Sequence, residues 1–541
     1  MKPILLILLS AALHALAFPP WNVVPLAFVA VVPFLIAIRG LSPRRAALAG
    51  HLWGSAAIWG VGYWVADALT FYYQQPWWFG LLFCLVGCQI LWGLYYALFA
   101  AGASFVLPRL SPVWRPAATA ALWVACELAR ARLLTGEPWM LLGYALVPNV
   151  RLIQAADLGG VYLLSFVAIF ANAALAELLL AAAAARGRLA PRLLAPPLVL
   201  LAVAFGYGTL RLGEQFPHDP PLRVAIVQGN GDLGSQWRPE LYGAGLELYT
   251  RLSRDAARAE PPDLLVWPES AVTFFPAHEP GYRAALADGL RGIGAELILG
   301  APHHEQGADY FNSAFHVHAD GTIAGRYDKV HLLPFGEYFP LRFLDFLRRR
   351  FERVRTFTPG DDRVLLDTRA GPTAVVICFE AIFPEIVRDR MAAGATLLVN
   401  LSNDVWLGRG VGQAQHLAMV VLRAVENRTW VVRATTTGIS AFIDPWGRIQ
   451  AASRMNEEAV LSATVTPQRI PTLYERIGDL FAYACGAAAL AVLLWGMLLH
   501  HRGHREHRGR TRKINSHGGG AEDAEKRSSS PDASARSLWP L

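Results

Sequence analysis

Glu269, Lys329 and Cys378 supply the three side chains that covalent catalysis by a thiol requires. A thiol can attack an electrophilic carbon, a carboxylate can take its proton, and an ammonium can face the negative charge that develops on the attacked group's oxygen. Glu269 follows the β-rich run Asp263-Leu264-Leu265-Val266-Trp267 across Pro268. Lys329 lies in Tyr327-Asp328-Lys329-Val330-His331, and Cys378 ends the run Thr373-Ala374-Val375-Val376-Ile377. Strand ends are where a sheet fixes the backbone while a side chain can face a cleft. The segment 384–393 reads as a helix with Pro384 in its first turn, and a thiol near such an N-terminus and near an ammonium is expected to have a lowered pKa. Singly, each residue has a plain explanation: a Cys filling a core, a solvated Glu, an Asp-Lys turn. Together, they describe a nucleophile with its base and its cation.

The other four cysteines, Cys84, Cys88, Cys126 and Cys485, sit inside apolar runs as small hydrophobes. Cys378 therefore has no partner for a disulfide in its own region, and no CxxC or Cys/His spacing suggests a metal site.

The elements that must position the trio lie between 222 and 470. Short β-rich runs there (222–227, 263–267, 296–300, 312–318, 373–378, 396–400, 429–434 and 439–443) alternate with helical stretches, among them an amphipathic one near 238–260. This pattern predicts an α/β or layered α+β domain of about 250 residues, enough for a proper core.

The rest of the chain is of another kind. Hydrophobic residues make up 54% of the sequence and charged residues only 17%, and the apolar excess is concentrated in 1–211 and 481–499. Eight runs approach the twenty or so residues that cross a bilayer: 3–18, 22–38, 46–70, 78–106, 116–134, 161–182, 192–211 and 480–500. The first is short, and with Lys2 in front of it could also be a cleaved signal peptide, which would leave the orientation of the others unchanged. Basic residues follow every second run: Arg39, Arg44 and Arg45; Arg109 and Arg115; Arg186, Arg188 and Arg192; then Arg502 to Lys513. The alternate connections are aromatic and Pro-rich, the exception being Arg130 and Arg132 near the end of the fifth run. By the positive-inside rule both termini are cytoplasmic and 212–479 is outside. The expected organisation is a multi-span membrane domain (1–211), a catalytic domain (212–470), a final span (471–500) and a disordered cytoplasmic tail (501–541). A net charge of +7, largely beside the apolar runs, gives no reason to expect nucleic-acid binding.

The motifs resemble the nitrilase superfamily, whose αββα sandwich carries Glu, Lys and Cys in this order. With the spans included, the chain is similar to its membrane-embedded branch, the apolipoprotein N-acyltransferases. The resemblance rests on Gly136-Glu137-Pro138-Trp139, Gln154-Ala155-Ala156-Asp157-Leu158-Gly159-Gly160-Val161-Tyr162, Val227-Gln228-Gly229-Asn230, Gln236-Trp237, Trp267-Pro268-Glu269-Ser270, Lys329 to Glu337, Cys378-Phe379-Glu380 and Asn400-Leu401-Ser402-Asn403-Asp404. It implies that Glu269 is the general base, Lys329 the oxyanion stabiliser and Cys378 the nucleophile, with Glu337 in a supporting loop and Trp237 and Glu380 at further required positions. Phe379 stands where the family usually has Tyr, and Glu137 where it commonly has an aromatic residue.

The implied reaction moves an acyl chain from a membrane phospholipid, typically phosphatidylethanolamine, through a cysteine thioester to the α-amine of a diacylglyceryl cysteine at a lipoprotein N-terminus. It implies no metal or organic cofactor, a bacterial inner-membrane location and nothing beyond a monomer. The competing readings are a membrane-anchored amidase or nitrile hydrolase, a non-catalytic lipoprotein-binding scaffold and a transporter. The intact trio disfavours the scaffold, and the scarcity of charge within the runs disfavours the transporter.

Overall fold

The computed structural model describes residues 2–184, 187–214, 220–231, 239–305, 309–340, 356–361, 364–408 and 410–517. Up to Leu212 the described chain is helical, and a last helix runs from Leu480 to His517. Ala156–Ala183, Ala190–Leu212 and Leu480–His500 are long and apolar enough to cross a membrane, while Pro3–Leu16, Val24–Ala37 and Trp77–Gly87 are apolar but shorter. Leu198, Val199, Val203 and Leu210 are exposed along the second of these, a surface suited to lipid rather than water. The last helix continues past 500, where a disordered tail was expected to begin; 518–541 lie outside the described residues.

Several apolar runs do not become continuous helices. The run 22–38 breaks into a 3-10 turn, Val24–Phe28, and a six-residue helix, Val32–Ala37, because Pro25 and Pro33 each lack a backbone donor and each sits in a first turn. Asn172 repairs the break: its amide accepts from Val31 N at 2.8 Å and donates to the Ala27 carbonyl at 2.8 Å. The run 46–70 divides at Tyr63 into Pro43–Gly62 and Trp64–Phe71, and 78–106 passes through a π-helical turn at Gln89–Gly93. The helix Ala156–Ala183 kinks at Gly159 and Gly160. Gly160 has φ +65°, and a Cβ there would lie 2.6 Å from the Tyr474 ring.

The second part is built on twelve strands: β1 (Leu222–Gln228), β2 (Leu264–Val266), β3 (Glu296–His304), β4 (Tyr310–Val317), β5 (Ile323–Asp328), β6 (Leu366–Thr368), β7 (Gly371–Ile377), β8 (Leu397–Ser402), β9 (Val431–Thr435), β10 (Ala441–Ile443), β11 (Ile449–Ala452) and β12 (Ala459–Val465). Among the described residues they form two six-stranded sheets, ordered β12-β1-β2-β3-β4-β5 and β11-β10-β9-β8-β7-β6. The centres, β1-β2-β3 and β7-β8-β9, are parallel, with antiparallel strands completing each side.

The inner faces meet in a core of Val224, Ile226, Leu264, Val266 and Ile298 from one sheet and Val375, Ile377, Leu397, Val399 and Val432 from the other. Each such side chain contributes roughly 1.5–3 kcal/mol by leaving water. Helices Pro239–Ala259 and Pro280–Leu290 cover the outer face of the first sheet through Tyr242, Leu246, Tyr249, Leu286 and Leu290. Pro384–Ala392 and Val411–Asn427 pack beside the second, giving helix–sheet–sheet–helix layers. β5, β6, β11 and β12 correspond to none of the expected runs. β11 and β12 are edge strands with largely exposed or half-exposed residues, so they carry no strong apolar period.

Candidate active site

β5 runs in the same direction as β2 and β3, so β2, β3 and β5 finish at the same end of the first sheet. Glu269 lies three residues past β2, Lys329 directly after β5, and Cys378 directly after β7 of the facing sheet. All three are buried. Gly300 on β3 lets the Glu269 segment lie close: a Cβ there would be 2.5 Å from the Glu269 Cα. Cys378 itself has φ +51°, the left-handed region that a β-carbon disfavours, so the chain turns sharply at the thiol.

A network of carboxylates and amides fixes the trio. Lys329 Nζ is 2.8 Å from Glu337 Oε2, 2.9 Å from Glu337 Oε1 and 3.7 Å from Glu269 Oε1. Asn312 on β4 donates its amide to Glu269 Oε1 at 2.6 Å and to Glu337 Oε1 at 2.7 Å, which ties the two carboxylates together. The second Glu269 oxygen accepts from Asn403 N at 2.6 Å, and the second Glu337 oxygen from Leu333 N at 2.7 Å. Glu380 holds the two sheets in register: one oxygen accepts from Val330 N at 2.8 Å, His331 N at 3.1 Å and the Tyr327 hydroxyl at 2.7 Å, the other from Ile377 N at 2.7 Å. The backbone beside Lys329 and the backbone before Cys378 thus share one buried carboxylate.

These contacts set the charges. Against burial, Glu337 and then Glu269 hold the Lys329 ammonium well above its ordinary value, so it is a permanent cation. Burial, only partly opposed by Lys329, raises the Glu269 carboxyl. Burial and then the Glu269 carboxylate push the Cys378 thiol well above its ordinary value, with Lys329 pulling the other way. This reverses the lowered thiol pKa expected from a nearby helix and ammonium. The helix Pro384–Ala392 begins only after a 3-10 turn, Cys378–Ile382, and desolvation outweighs the cation. Burial thus favours the neutral thiol over the thiolate.

The wall beside Cys378 comes from both halves of the chain. Trp406 Nε1 donates to Cys378 Sγ at 3.4 Å, and its ring lies 6.2 Å from that of Trp64. Gln415, on the almost wholly buried helix Val411–Asn427, accepts from Trp64 Nε1 at 3.0 Å and Trp139 Nε1 at 2.8 Å and donates to the carbonyls of Val61 and Pro19. On the same helix Glu426 accepts from Val161 N at 3.0 Å, at the kink after Gly160. The loop after Lys329 reaches the helical part through Phe335, edge-on to Phe83 with centroids 5.5 Å apart.

Beneath Cys378, Asp404 is held well below the usual carboxylate range, despite burial, by Arg433 and His416. It lies 2.6 Å from Arg433 and 3.2 Å from His416.

The structure thus brings Glu269, Lys329, Cys378, Glu337 and Glu380 together. Phe379 is buried and packs on Phe383, at 5.1 Å, with no hydroxyl to place. Glu137 is a fixed acceptor, taking Trp92 Nε1 at 2.8 Å and Trp139 N at 3.1 Å and pairing with Arg130 at 3.1 Å. Trp237 lies outside the described residues. Asn312, Trp406 and Gln415 were not anticipated; the legible sign for Asn312 was an amide in a strand beginning with two aromatic residues.

A two-sheet sandwich with a buried thiol, carboxylate and ammonium at one end is the architecture of a carbon-nitrogen hydrolase domain, and the Carbon-nitrogen hydrolase family model matches residues 223–474. The Apolipoprotein N-acyltransferase N-terminal domain model matches residues 10–174. The chain is 39% identical to an apolipoprotein N-acyltransferase of Geobacter metallireducens over 90% of its own length and 94% of the relative's. It is 35% identical to one of Azotobacter vinelandii over 92% and 94%. Among solved structures it is similar to Saccharomyces cerevisiae Nit3, a member of branch 10 of the nitrilase superfamily, with TM-score 0.38 and 20% identity over 49% of this chain and 97% of that one. The chain belongs to the apolipoprotein N-acyltransferase family and is an enzyme of the acyltransferase class.

Proposed function

We propose that the protein transfers a fatty acyl chain from a membrane phospholipid to the α-amine of the diacylglyceryl cysteine that begins an apolipoprotein, with Cys378 as nucleophile, Glu269 as general base and Lys329 as oxyanion stabiliser. The observation that carries this reading is one buried thiol whose neighbours are a raised carboxyl and a permanently charged ammonium, in a wall completed by Trp64 and Trp139 of the helical part.

Glu269 takes the thiol proton as Sγ bonds to the ester carbonyl carbon, and Lys329 faces the oxyanion. Collapse breaks the ester C–O bond, and Glu269 returns the proton to the departing lysophospholipid oxygen. The thioester then meets the acceptor amine. Glu269 accepts the amine proton as the amide bond forms, the C–S bond breaks, and Glu269 passes that proton to the departing sulfur, restoring the thiol. Asn312 and Asn403 hold Glu269 in line for both proton transfers, while Glu337 keeps Lys329 at its post. Trp237 is assigned a supporting role on the family pattern alone.

Both substrates are anchored by acyl chains, and drawing them from the bilayer costs roughly 0.8 kcal/mol per CH₂ exposed. A site walled by membrane-half residues avoids that cost. Excluding water also protects the thioester from hydrolysis. The donor assigned is phosphatidylethanolamine. The eight apolar runs cross a bacterial inner membrane with both termini inside, and the domain 212–470 faces the periplasm, as the alternating basic connections support. The protein acts as a monomer.

The test is transfer from a phospholipid with labelled acyl chains to two diacylated lipopeptides, one with a free and one with an acetylated N-terminus. Triacylated product is expected only with the free amine and not with Cys378→Ala. Label released as free fatty acid at the same rate with either peptide would make the protein a hydrolase.

A further inference from the structure

At the other end of β3 from Glu269, Glu296, His316 and His318 turn ligand atoms toward one point. Glu296 opens β3, four residues before Gly300 and hence ~13 Å along the strand from the Glu269 segment. The antiparallel register pairs Leu297 with Val317 and Ile298 with His316, which sets Glu296 beside His318 and puts all three side chains on one face. Their ligand atoms lie within 4.8 Å of one another. His316 Nε2 is 3.3 Å from Glu296 Oε2, and His318 Nδ1 is 3.6 Å from Glu296 Oε1.

We propose that Glu296, His316 and His318 form a binding site for a divalent transition-metal ion, Zn²⁺ being the best match, that staples the sandwich at the end away from the catalytic trio. Ligand bonds of about 2.1 Å at tetrahedral angles separate neighbouring donor atoms by about 3.4 Å, the spacing already present between the carboxylate and each imidazole. The donor set of two imidazoles and a carboxylate suits Zn²⁺ and leaves a fourth position for water.

A second observation points the same way. His316 is buried, and its Nε2 faces Glu296 Oε2 at 3.3 Å without an aligned hydrogen bond, so an ion between the two would satisfy both better than they satisfy each other. Glu296 is oriented from outside the trio: Arg369 N, in the turn between β6 and β7, donates to its Oε2 at 2.8 Å. An ion on Glu296 therefore links β3 and β4 of one sheet to the turn of the other. Asp367 adds negative charge nearby. The Arg369 guanidinium, 3.8 Å from Glu296 Oε1, opposes a cation there, but it is half-exposed and can swing into water. The His-x-His spacing was passed over in sequence because its carboxylate partner lies twenty positions earlier, on the neighbouring strand.

The test uses the full-length chain in detergent, stripped with EDTA and dialysed against micromolar Zn²⁺, with bound metal counted by mass spectrometry and thermal unfolding followed with and without the ion. The comparison is His318→Gln, whose half-exposed side chain can be changed without opening the core; histidines after Leu499 bind equally in both proteins and cancel. Expected are one more equivalent of Zn²⁺ in the wild type than in His318→Gln and a Zn²⁺-dependent rise of the wild-type midpoint that the variant lacks. Glu296→Gln, which can still accept from Arg369 N, should lose the same equivalent. Equal metal content in wild type and His318→Gln, or a wild-type midpoint unmoved by Zn²⁺, overturns the proposal.

Discussion

Glu337→Gln is the substitution whose cost can best be worked from the geometry. The carboxylate of Glu337 serves three donors with two oxygens: Lys329 Nζ, Asn312 Nδ2 at 2.7 Å and Leu333 N at 2.7 Å. A glutamine keeps the shape but offers one acceptor oxygen, and its NH₂ must face either Leu333 N or the Lys329–Asn312 side. At least one donor is left facing another donor, and Lys329 loses the nearer of its two negative partners. A charge-assisted hydrogen bond in a buried site contributes about 1.5–3 kcal/mol. At 1.36 kcal/mol per factor of ten, that slows acylation about 10- to 150-fold. The loss stays finite because Glu269, 3.7 Å from Nζ, still holds the ammonium. The assay is single-turnover acyl-enzyme formation with excess phospholipid, with thermal unfolding in parallel. A rate within threefold of wild type would refute the role given to Glu337. So would a rate as low as that of Lys329→Ala, because Glu337 would then be holding the whole site together rather than only the cation.

Asn312→Asp places a third carboxylate between Glu269 and Glu337 and is expected to slow acylation more than Asn312→Ala; the opposite order in the same assay would show that Asn312 is not the bridge between them. Because burial raises Glu269 and the ionised form is the base, kcat/KM should fall as pH drops through a midpoint above the ordinary 4.5, and an acid limb at or below that value would contradict the assignment. Gln415→Ala strands two indole donors and two carbonyls inside the protein, at about 1–3 kcal/mol for each group that stays unpaired. Its thermal midpoint in detergent should drop clearly, and an unchanged midpoint would mean that the helix Val411–Asn427 is held to the membrane half by other contacts.

Much of the sandwich was legible because its central strands are buried on both faces and read as apolar runs, as at Leu264–Val266 and Leu397-Leu398-Val399. Glu269 and Cys378 were legible because each follows such a run at its end, whereas Lys329 follows β5, which no apolar run announced, and was legible only in its motif Tyr327-Asp328-Lys329-Val330-His331. What escaped notice depends on distant pairings. Asn312 looks like one polar residue in a strand until Glu269 and Glu337, far apart in sequence, arrive on either side of it. Gln415, Arg423 and Glu426 are buried because their helix meets the membrane half, where Arg423 donates to the Tyr144 hydroxyl at 3.0 Å. The direction of the Cys378 shift was misjudged for a related reason, since a sequence displays nearby charges but not the depth at which they are buried. Apolar length likewise overstated helix continuity at Pro25 and Pro33, where Asn172 makes a broken backbone tolerable.

The central claim is that Cys378 carries the acyl group between donor and acceptor. Intact-mass measurement after incubation with phosphatidylethanolamine alone tests it most directly. A gain of one fatty acyl group is expected, mapped to Cys378, removed by hydroxylamine and lost again when a diacylated lipopeptide is added. No mass gain in a preparation that nevertheless completes the transfer, or full transfer activity in Cys378→Ser, would contradict it.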